Sequence, residues 1–419
     1  MNKKLGFSIM LTLFVSIWGL GVKQVNGATL TVGCSGSTYP TIQSAVTAAN
    51  PGDTIVVCPG TYVEQVTVPA GKNNLTLRSQ SPLAAVIKAP AVMLAPKAIV
   101  RVNGARSVTI RAFTITGPGG FGCDSLEYGI RVDNGGSAFI RDNHITEIRD
   151  NPFGGCQNGV AILVGRFAEG QIGSAVIQNN RIDKYQKGGI VISNLGSRAD
   201  ITDNNVKGVG PTSVIAQNGI QISAGAKANV EDNEVSDNIY TPQTVVSTGI
   251  LLFEPGQVNL EDNQASRNDV NIYAFNAPNP VITGNRVSDG PFDGIDLTDG
   301  TKGAIVSHNT SRNNVMDGIF IDAASTGNTI THNRLRGNGS FDAEDQSVGT
   351  GSCGTANTWK QNSCRTDNKG GCLCSHGGND GDDEDRDDHD GGQGQNAVTT
   401  QSRTAVRPLV QTNRVTSPF

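Results

Sequence analysis

A short strand pattern recurs through the middle of the 419-residue chain, and it limits the possible folds more than any other feature. The pattern is a glycine, an aliphatic residue, a variable residue and a second aliphatic residue, as in Gly129-Ile130-Arg131-Val132. It returns with glycine at positions 159, 189, 219, 249, 294 and 318, and Asp269-Val270-Asn271-Ile272 fills the remaining gap with aspartate in place of glycine. The first five glycines are 30 residues apart and the last two are 24 apart, which indicates a repeat protein.

A second repeated pair keeps in phase with the first. It is a polar residue or glycine followed by asparagine, at Asp142-Asn143, Asn179-Asn180, Asp203-Asn204, Asp232-Asn233, Asp262-Asn263, Gly284-Asn285, His308-Asn309 and His332-Asn333. Asparagine tolerates left-handed backbone and bonds to neighbouring peptide groups, so we expect these asparagines at bends. One repeat cannot bury its apolar face alone, whereas about ten stacked repeats, about 4.8 Å apart, form a rod with a continuous aliphatic core.

Composition and charge exclude several other classes. The 52 glycines, together with many asparagines, disfavour a helical bundle. The net charge of -5 and the lack of a basic stripe argue against a nucleic-acid partner. Beyond the first 25 residues, no apolar stretch is long enough for a membrane span. The sequence does not indicate the oligomeric state.

With these repeats, the chain resembles the right-handed parallel β-helix proteins of the pectin-lyase-like group over residues 28–365, and is closest to the bacterial repeat members. The resemblance implies an all-β fold: a single-stranded right-handed parallel β-helix solenoid of about ten coils. A short amphipathic helix from Tyr39 to Val46 is expected to cap the first coil. The segment from Pro59 to Glu64 is similar to the start of pectin methylesterases, but their later catalytic aspartate motifs are absent, so Glu64 is expected to be structural.

The two ends of the chain have the composition of segments outside the solenoid. Lys3 and Lys4 precede an apolar run from Leu5 to Val22, which predicts a signal peptide over residues 1–27 and a secreted, extracellular protein. Residues 366–419 are predicted to be a disordered tail, because they are rich in glycine and carry an acidic run from Asn379 to Asp390.

All eight cysteines follow the predicted signal peptide, which favours disulfides. Cys123 and Cys156 lie in loops that enter the same strand column in adjacent coils, so we expect them to pair. We also expect Cys34 to pair with Cys58 in the cap, and Cys353 with Cys364 in the last coil. Cys372 and Cys374 lie in a glycine-rich segment and are the cysteines expected to remain free or heterogeneous.

The longer repeats carry extra residues before the glycine strand, at 117–127, 149–158, 208–218 and 239–248. These insertions are expected either to wall a groove beside that strand column or to be surface loops without a ligand. The resemblance implies that this sheet and its loops form a polysaccharide cleft. The residue between the two aliphatic positions should face outward, and this column runs Arg131, Ala161, Val191, Gln221, Leu251, Asn271, Asp296 and Phe320.

The late coils concentrate polar side chains on this outward face. Asp296, Asp322, Lys302 and Tyr273 are the candidate catalytic residues, and Asn271, Thr298 and Arg131 are the candidate substrate contacts. Asp296 and Asp322 are also the candidate ligands of a metal ion, with Ca²⁺ as the candidate cofactor, because carboxylates on adjacent coils lie close together. A solvated outer face without a site is the alternative.

Two functions therefore stay open. The first is a secreted β-helix that binds or processes an acidic polysaccharide, by β-elimination or C5 epimerisation of a uronate if it is an enzyme. The second is a non-catalytic extracellular structural or adhesive rod. The absence of two catalytic motifs favours the rod. The sequence contains neither the Asp-Pro-His-Asp motif of alginate epimerases nor the Gly-His-Gly motif of polygalacturonases.

Overall fold

A computed structural model of the chain describes residues 27–375, and these residues form a right-handed parallel β-helix, as predicted. Three parallel sheets, named here sheet 1, sheet 2 and sheet 3, run the length of the rod with 11, 13 and 11 strands. The rod is therefore longer than the predicted ten coils, because residues before 117 add coils that lack the glycine pattern. The predicted signal peptide, except Gly27, and the acidic run at 379–390 lie outside the described residues.

The strands are short and follow one another from sheet 1 to sheet 2 to sheet 3 in each coil. Sheet 1 contains Val66–Pro69, Ala98–Asn103, Tyr128–Asp133, Val160–Val164, Gly188–Ser193, Asn218–Ser223, Thr248–Phe253, Val270–Phe275, Ile295–Thr298, Ile319–Ile321 and Ala343–Asp345. Sheet 2 contains Thr29–Val32, Thr54–Val57, Thr76–Ser79, Val108–Arg111, Gly136–Arg141, Gly173–Gln178, Arg198–Thr202, Lys227–Glu231, Val258–Glu261, Val281–Thr283, Ile305–Ser307, Thr329–Thr331 and Thr358–Lys360. Sheet 3 contains Gly60–Val63, Ala85–Lys88, Thr114–Thr116, His144–Thr146, Arg181–Asp183, Asn205–Thr212, Glu234–Tyr240, Gln264–Ser266, Arg286–Ser288, Thr310–Arg312 and Arg334–Arg336.

Stacked aliphatic side chains fill the interior of the helix. In sheet 1, Ile130 lies directly opposite Ile162, which in turn lies opposite Ile190, and all three are fully buried. One continuous core cluster runs from Val32 to Cys374. Burying one such side chain contributes roughly 1.5–3 kcal/mol, so the stack supplies most of the driving force that a single coil lacks.

The repeated asparagines lie at the bends between sheets 2 and 3, as predicted, but they are buried and do not take the left-handed conformation themselves. The preceding residue takes the left-handed conformation instead, with φ of 59° at Asp142 and 57° at His308. Asn143 is 2% exposed, and its amide nitrogen donates to the side-chain oxygen of Asn180 at 3.0 Å. The same contact continues along the rod as a ladder of Asn143, Asn180, Asn204, Asn233, Asn263, Asn285, Asn309, Asn333 and Asn362.

In two coils, the residue aligned with the repeat glycines of the neighbouring coils is not the one predicted from the sequence. Tyr128 pairs with Val160, which puts Ala161 in the place of Gly129, and Asn271 takes the corresponding place beside Gly249. Predicting Gly159 and Asp269 in this column was therefore wrong. The register follows the aliphatic residues that reach the core, so Ala161 and Asn271 point inward and are fully buried.

A helix closes the first coil, as expected, and spans Ile42–Ala48 rather than residues 39–46. Thr41 caps it through a capping box with Ser44, and Ile42 and Val46 are buried against the first coils. The Glu64 carboxylate accepts hydrogen bonds from the backbone N–H groups of Ile42 and Gln43 at 2.9 and 2.8 Å. Glu64 thus stabilises the helix N-terminus, where both N–H groups lack helical partners.

The described chain remains folded ten residues beyond the predicted end of the solenoid. Asp367 pairs with Ala343 beside the last strand of sheet 1, and its carboxylate accepts hydrogen bonds from the backbone N–H groups of Lys369 and Gly371, both at 2.8 Å. Residues 366–375 are therefore ordered, and only the part of the predicted tail after 375 lies outside the described residues. None of the helices within residues 27–375 has the length and apolar character needed to cross a bilayer.

Four disulfides are present. Cys34–Cys58 and Cys123–Cys156 form as expected, with Cα atoms 5.2 and 5.8 Å apart. The expected Cys353–Cys364 bond is wrong, because Cys353 bonds to Cys372 and Cys364 bonds to Cys374. The segment 366–375 folds back onto the last coil and brings both of these later cysteines, which we had expected to be free, next to the earlier ones.

Candidate functional site

The outer face of sheet 1 changes character along the rod. Its central column comprises Arg101, Arg131, Leu163, Val191, Gln221, Leu251, Tyr273, Asp296, Phe320 and Glu344. The early part is charged, the middle is mainly apolar, and the late part is acidic and aromatic. The offset in register is why Leu163 and Tyr273 occupy this column in place of the predicted Ala161 and Asn271.

The early part is an internal ion-pair network. Arg131 is 1% exposed, donates to Asp133 at 2.6 Å, pairs with Glu169 and lies 5.2 Å from the ring centre of Tyr128. Arg101 also binds Asp133, at 2.9 Å. Arg131 is therefore occupied by partners from the chain itself, and the structure gives the predicted substrate contact no open surface here.

The middle part is covered. Leu163 and Val191 are fully buried in a separate outer cluster with Tyr128 and Val160. The insertions beside this region are tied together, since Cys123 is bonded to Cys156 and the buried Asp150 carboxylate accepts from the backbone N–H of Ser125 at 2.9 Å. The insertions at 117–127 and 149–158 are therefore joined to each other beside the covered strands.

The late coils bring together four of the predicted residues and Asp299 on one surface, which we call the late-coil face: Tyr273, Asp296, Thr298, Asp322 and Asp299. Tyr273 and Asp296 are direct neighbours across adjacent strands. The Thr298 hydroxyl donates to the Tyr273 hydroxyl at 3.1 Å. The Asp322 carboxylate accepts from the backbone N–H of Asp299 at 2.8 Å, which connects the next coil to the same cluster.

Aromatic residues that sequence reasoning did not single out shape this face. Phe275 stacks on Phe253 with ring centres 4.7 Å apart and meets the Tyr273 ring edge-on at 6.3 Å. Tyr273 also belongs to a buried outer cluster with Phe292 and Met316. Tyr273 and Phe275 are two residues apart and so lie on the same side of their strand, and this spacing could have identified the aromatic pair from the sequence. These contacts hold the Tyr273 ring in a fixed orientation.

Burial controls the protonation of two groups on the late-coil face. Tyr273 is 5% exposed, and burial, reinforced by the neighbouring Asp296 carboxylate, raises its pKa far above the usual value. The Tyr273 hydroxyl therefore stays protonated at neutral pH and is a weaker acid than an exposed tyrosine, so it can give its proton only to a strong base such as a departing alkoxide. Burial and the charge of Asp322 also raise the pKa of Asp299, so the carboxyl groups interact with one another.

Two predicted residues lie away from this face. Lys302 is in the turn that leads to sheet 2, where it forms bridges with Pro278 and Thr326, and its side chain is exposed. Asn271 is inside the solenoid and donates to the side-chain oxygen of Asn314 at 3.0 Å. The predicted outward position of Asn271 is therefore wrong, because its strand is shifted by two residues relative to the glycine pattern.

The late-coil face does not fit a calcium ion, which takes six to eight oxygen ligands. Both oxygens of Asp322 already accept backbone N–H groups, from Asp299, Ala324 and Ser325. Within residues 27–375, the one group of three potential ligand atoms within 4.8 Å of one another belongs to Cys123, Asp150 and Cys156, where both sulfurs are in a disulfide.

Several solved structures are similar to this chain, at low identity. An alginate lyase from Paenibacillus sp. str. FPU-7 is 18% identical with a TM-score of 0.49, over 67% of this chain and 94% of that one. The pectate lyase Pel9A is 15% identical with a TM-score of 0.48, over 80% of each chain. The A-module of the mannuronan C-5 epimerase AlgE4 from Azotobacter vinelandii is 14% identical with a TM-score of 0.44, over 70% of this chain and 89% of that module. No curated protein matches the sequence.

The model of the right handed beta helix region matches the sequence in two overlapping segments, residues 97–250 and 214–380. Together these segments include more than half of the chain and nearly all coils that carry the asparagine ladder. The match agrees with the three parallel sheets and the continuous core. The chain thus belongs to the right-handed β-helix family.

Proposed function

We propose that this protein binds an acidic polysaccharide and processes it at the late-coil face. The observation that carries the proposal is the protonated phenol of Tyr273 held beside the Asp296 carboxylate. A fixed proton donor next to a carboxylate is the minimum needed to cleave a sugar chain by acid–base chemistry. The insertions before sheet 1 support the proposal, because they lie beside its covered middle strands, whereas Asp299 and Asp322 of the late-coil face keep contact with solvent.

The proposed reaction is β-elimination. The Asp296 carboxylate takes the proton from C5 of a uronate, the C4–O bond breaks, and the electron pair forms the C4–C5 double bond. Tyr273 gives its proton to the departing glycosidic oxygen, and the proton on Asp296 then returns to the phenolate directly or through water. Thr298, which donates to the Tyr273 hydroxyl, orients the phenol toward the substrate. Tyr273 replaces Lys302 as the proposed proton donor, since Lys302 lies in a turn beyond the face.

The test is an activity and binding screen on alginate, polygalacturonate and neutral glucans, with full-length protein. We expect ultraviolet absorbance from an unsaturated product with one of the acidic polymers, and loss of at least about 100-fold in rate for Asp296→Asn and for Tyr273→Phe. Asp262→Asn is the matched control, because Asn179 occupies the same left-handed position in an earlier coil. Equal rates in all four proteins would refute the assignment of these residues.

A second candidate is hydrolysis of a neutral polysaccharide, and the charge of the late-coil face favours it. The face carries the carboxyl groups of Asp296, Asp299 and Asp322, whereas Lys302 lies outside it. A uronate carboxylate would meet repulsion there, and a neutral sugar would not. The two reactions differ in product: hydrolysis releases new reducing ends without the absorbance of an unsaturated sugar. A folded protein without turnover on any polymer would favour the non-catalytic rod.

A further inference from the structure

A groove of about 960 Å³ lies on the outer face of sheet 3, on the late coils. Its floor consists of the strands Gln264–Ser266, Arg286–Ser288, Thr310–Arg312 and Arg334–Arg336. Five guanidinium groups line it, from Arg267, Arg286, Arg312, Arg334 and Arg336, which we call the arginine groove. This groove is on a different sheet from the late-coil face. Sequence reasoning found no basic stripe, because these arginines come from four separate repeats.

Four of the five arginines have no anionic partner within residues 27–375. Arg267 binds Asp237 at 2.8 Å, whereas Arg286, Arg312, Arg334 and Arg336 are exposed and form no ion pair in the described part of the chain. The whole chain carries a net charge of -5, so carboxylates are abundant. Unpaired arginines concentrated on one surface of an acidic protein are therefore a local feature and not a consequence of overall composition.

The strand register places like charges side by side. Arg312 lies directly opposite Arg336, and neighbouring strands are about 4.8 Å apart. Arg334 and Arg336 lie on one face of the same strand, and Arg286 occupies the same column as Arg334 two coils away. Like charges directly opposite each other destabilise a sheet. A bound anion would replace this repulsion with charge-assisted hydrogen bonds, because guanidinium groups bind carboxylate and sulfate oxygens in a bidentate manner.

We propose that the arginine groove binds an anionic polysaccharide chain lying along the rod axis, with successive acidic groups held by guanidinium groups of successive coils. No aromatic residue of the described segment 27–375 lines the groove, so bases have nothing to stack on there, which disfavours a single-stranded nucleic acid. Its two carboxylates, Glu234 and Asp289, are outnumbered by the five arginines. Binding in the arginine groove requires no catalysis. The groove can therefore bind the polysaccharide even if the proposed reaction on sheet 1 does not occur.

The test measures affinity for polygalacturonate, alginate, a sulfated polysaccharide and single-stranded DNA by titration calorimetry with the full chain. The wild-type protein is expected to bind an acidic polysaccharide, with affinity falling steeply between about 50 and 200 mM salt. Arg312→Glu/Arg336→Glu is expected to weaken binding at least about tenfold. The uronate polymers and the sulfated polymer distinguish carboxylate from sulfate as the recognised group.

Lys88→Glu/Arg106→Glu is the matched control, since it changes the net charge equally. Lys88 belongs to the same column of sheet 3 in an early coil, and Arg106 is exposed far from the groove. Both double variants are compared in the Asp296→Asn background, so that the polymer is not cleaved and any contribution of the late-coil face is the same in each. Equal weakening by both double variants would overturn the proposal, as would tight binding of DNA alone or no binding of any polyanion by the wild-type protein.

Discussion

Removing one member of the asparagine ladder should destabilise the rod far more than removing an exposed asparagine. The Asn233 amide nitrogen donates to the carbonyl oxygen of Ile201 at 2.9 Å and to Asn263 at 2.9 Å. Its side-chain oxygen accepts from the backbone N–H of Asn204 and from the Asn204 side chain, both at 3.0 Å. Asn233→Leu would leave two or three of these buried groups without a partner, at about 1–3 kcal/mol each. We expect a loss of roughly 5 kcal/mol in the free energy of unfolding.

The assay is urea unfolding followed by far-ultraviolet circular dichroism and by the fluorescence of Trp359. Trp359 is 5% exposed and donates to Asp345 at 2.8 Å, so its fluorescence reports on the last coils, while dichroism reports on all coils. Coincident transitions for the two probes would justify a single free energy. Asn229→Leu is the control, because Asn229 is exposed and bonds to Asp200 on the surface. Similar losses of less than about 1 kcal/mol in both variants would refute the reasoning about the ladder.

Three further predictions concern single features. Burial raises the pKa of Asp269 to about 6, so its contribution to stability should fall by roughly 3 kcal/mol as pH rises from below about 4 to above 6. The difference in the free energy of unfolding between the wild-type protein and Asp269→Asn, measured over a pH series, should show this fall, and a constant difference would contradict it. Replacing Cys123 and Cys156 with serine should cost about 4 kcal/mol in the chain-entropy model and expose the loops at 117–127 and 149–158 to protease; unchanged cleavage there would count against a bracing role. Glu64→Ala should cost about 1–2 kcal/mol through loss of the helix cap, measured by thermal unfolding against the exposed Glu254→Ala, and equal midpoints would show that the cap contributes nothing.

The fold was predictable because its periodic signals come directly from packing. The aliphatic pairs must repeat for each coil to bury its face, and the disulfide between Cys123 and Cys156 followed from two loops entering the same strand column. The register was less predictable, because glycine is not what sets it. Ala161 and Asn271 substitute for glycine in the crowded inward position, so alignment on glycine shifted two strands by two residues.

The candidate site was predictable only in part, because it depends on neighbours from different coils. Asp296, Thr298 and Tyr273 could be placed on the outer face from strand alternation alone. Phe292 and Met316, which pack with the buried Tyr273, each lie two residues before a repeat glycine, outside the strands from which the outer face was predicted. The arginine groove was missed for a related reason, since its charges are dispersed along the sequence and meet only after stacking.

Hydrogen–deuterium exchange in the presence of an acidic oligosaccharide tests most directly whether the late-coil face is a carbohydrate site. The measurement should use the full chain with Asp296→Asn, so that the ligand is bound but not consumed. We predict slower exchange at residues 295–299 and 319–322, with the early strands Ala98–Asn103 and Tyr128–Asp133 unchanged. Protection confined to other sheets, or no protection by any acidic or neutral oligosaccharide at residues 295–299, would contradict the proposed site.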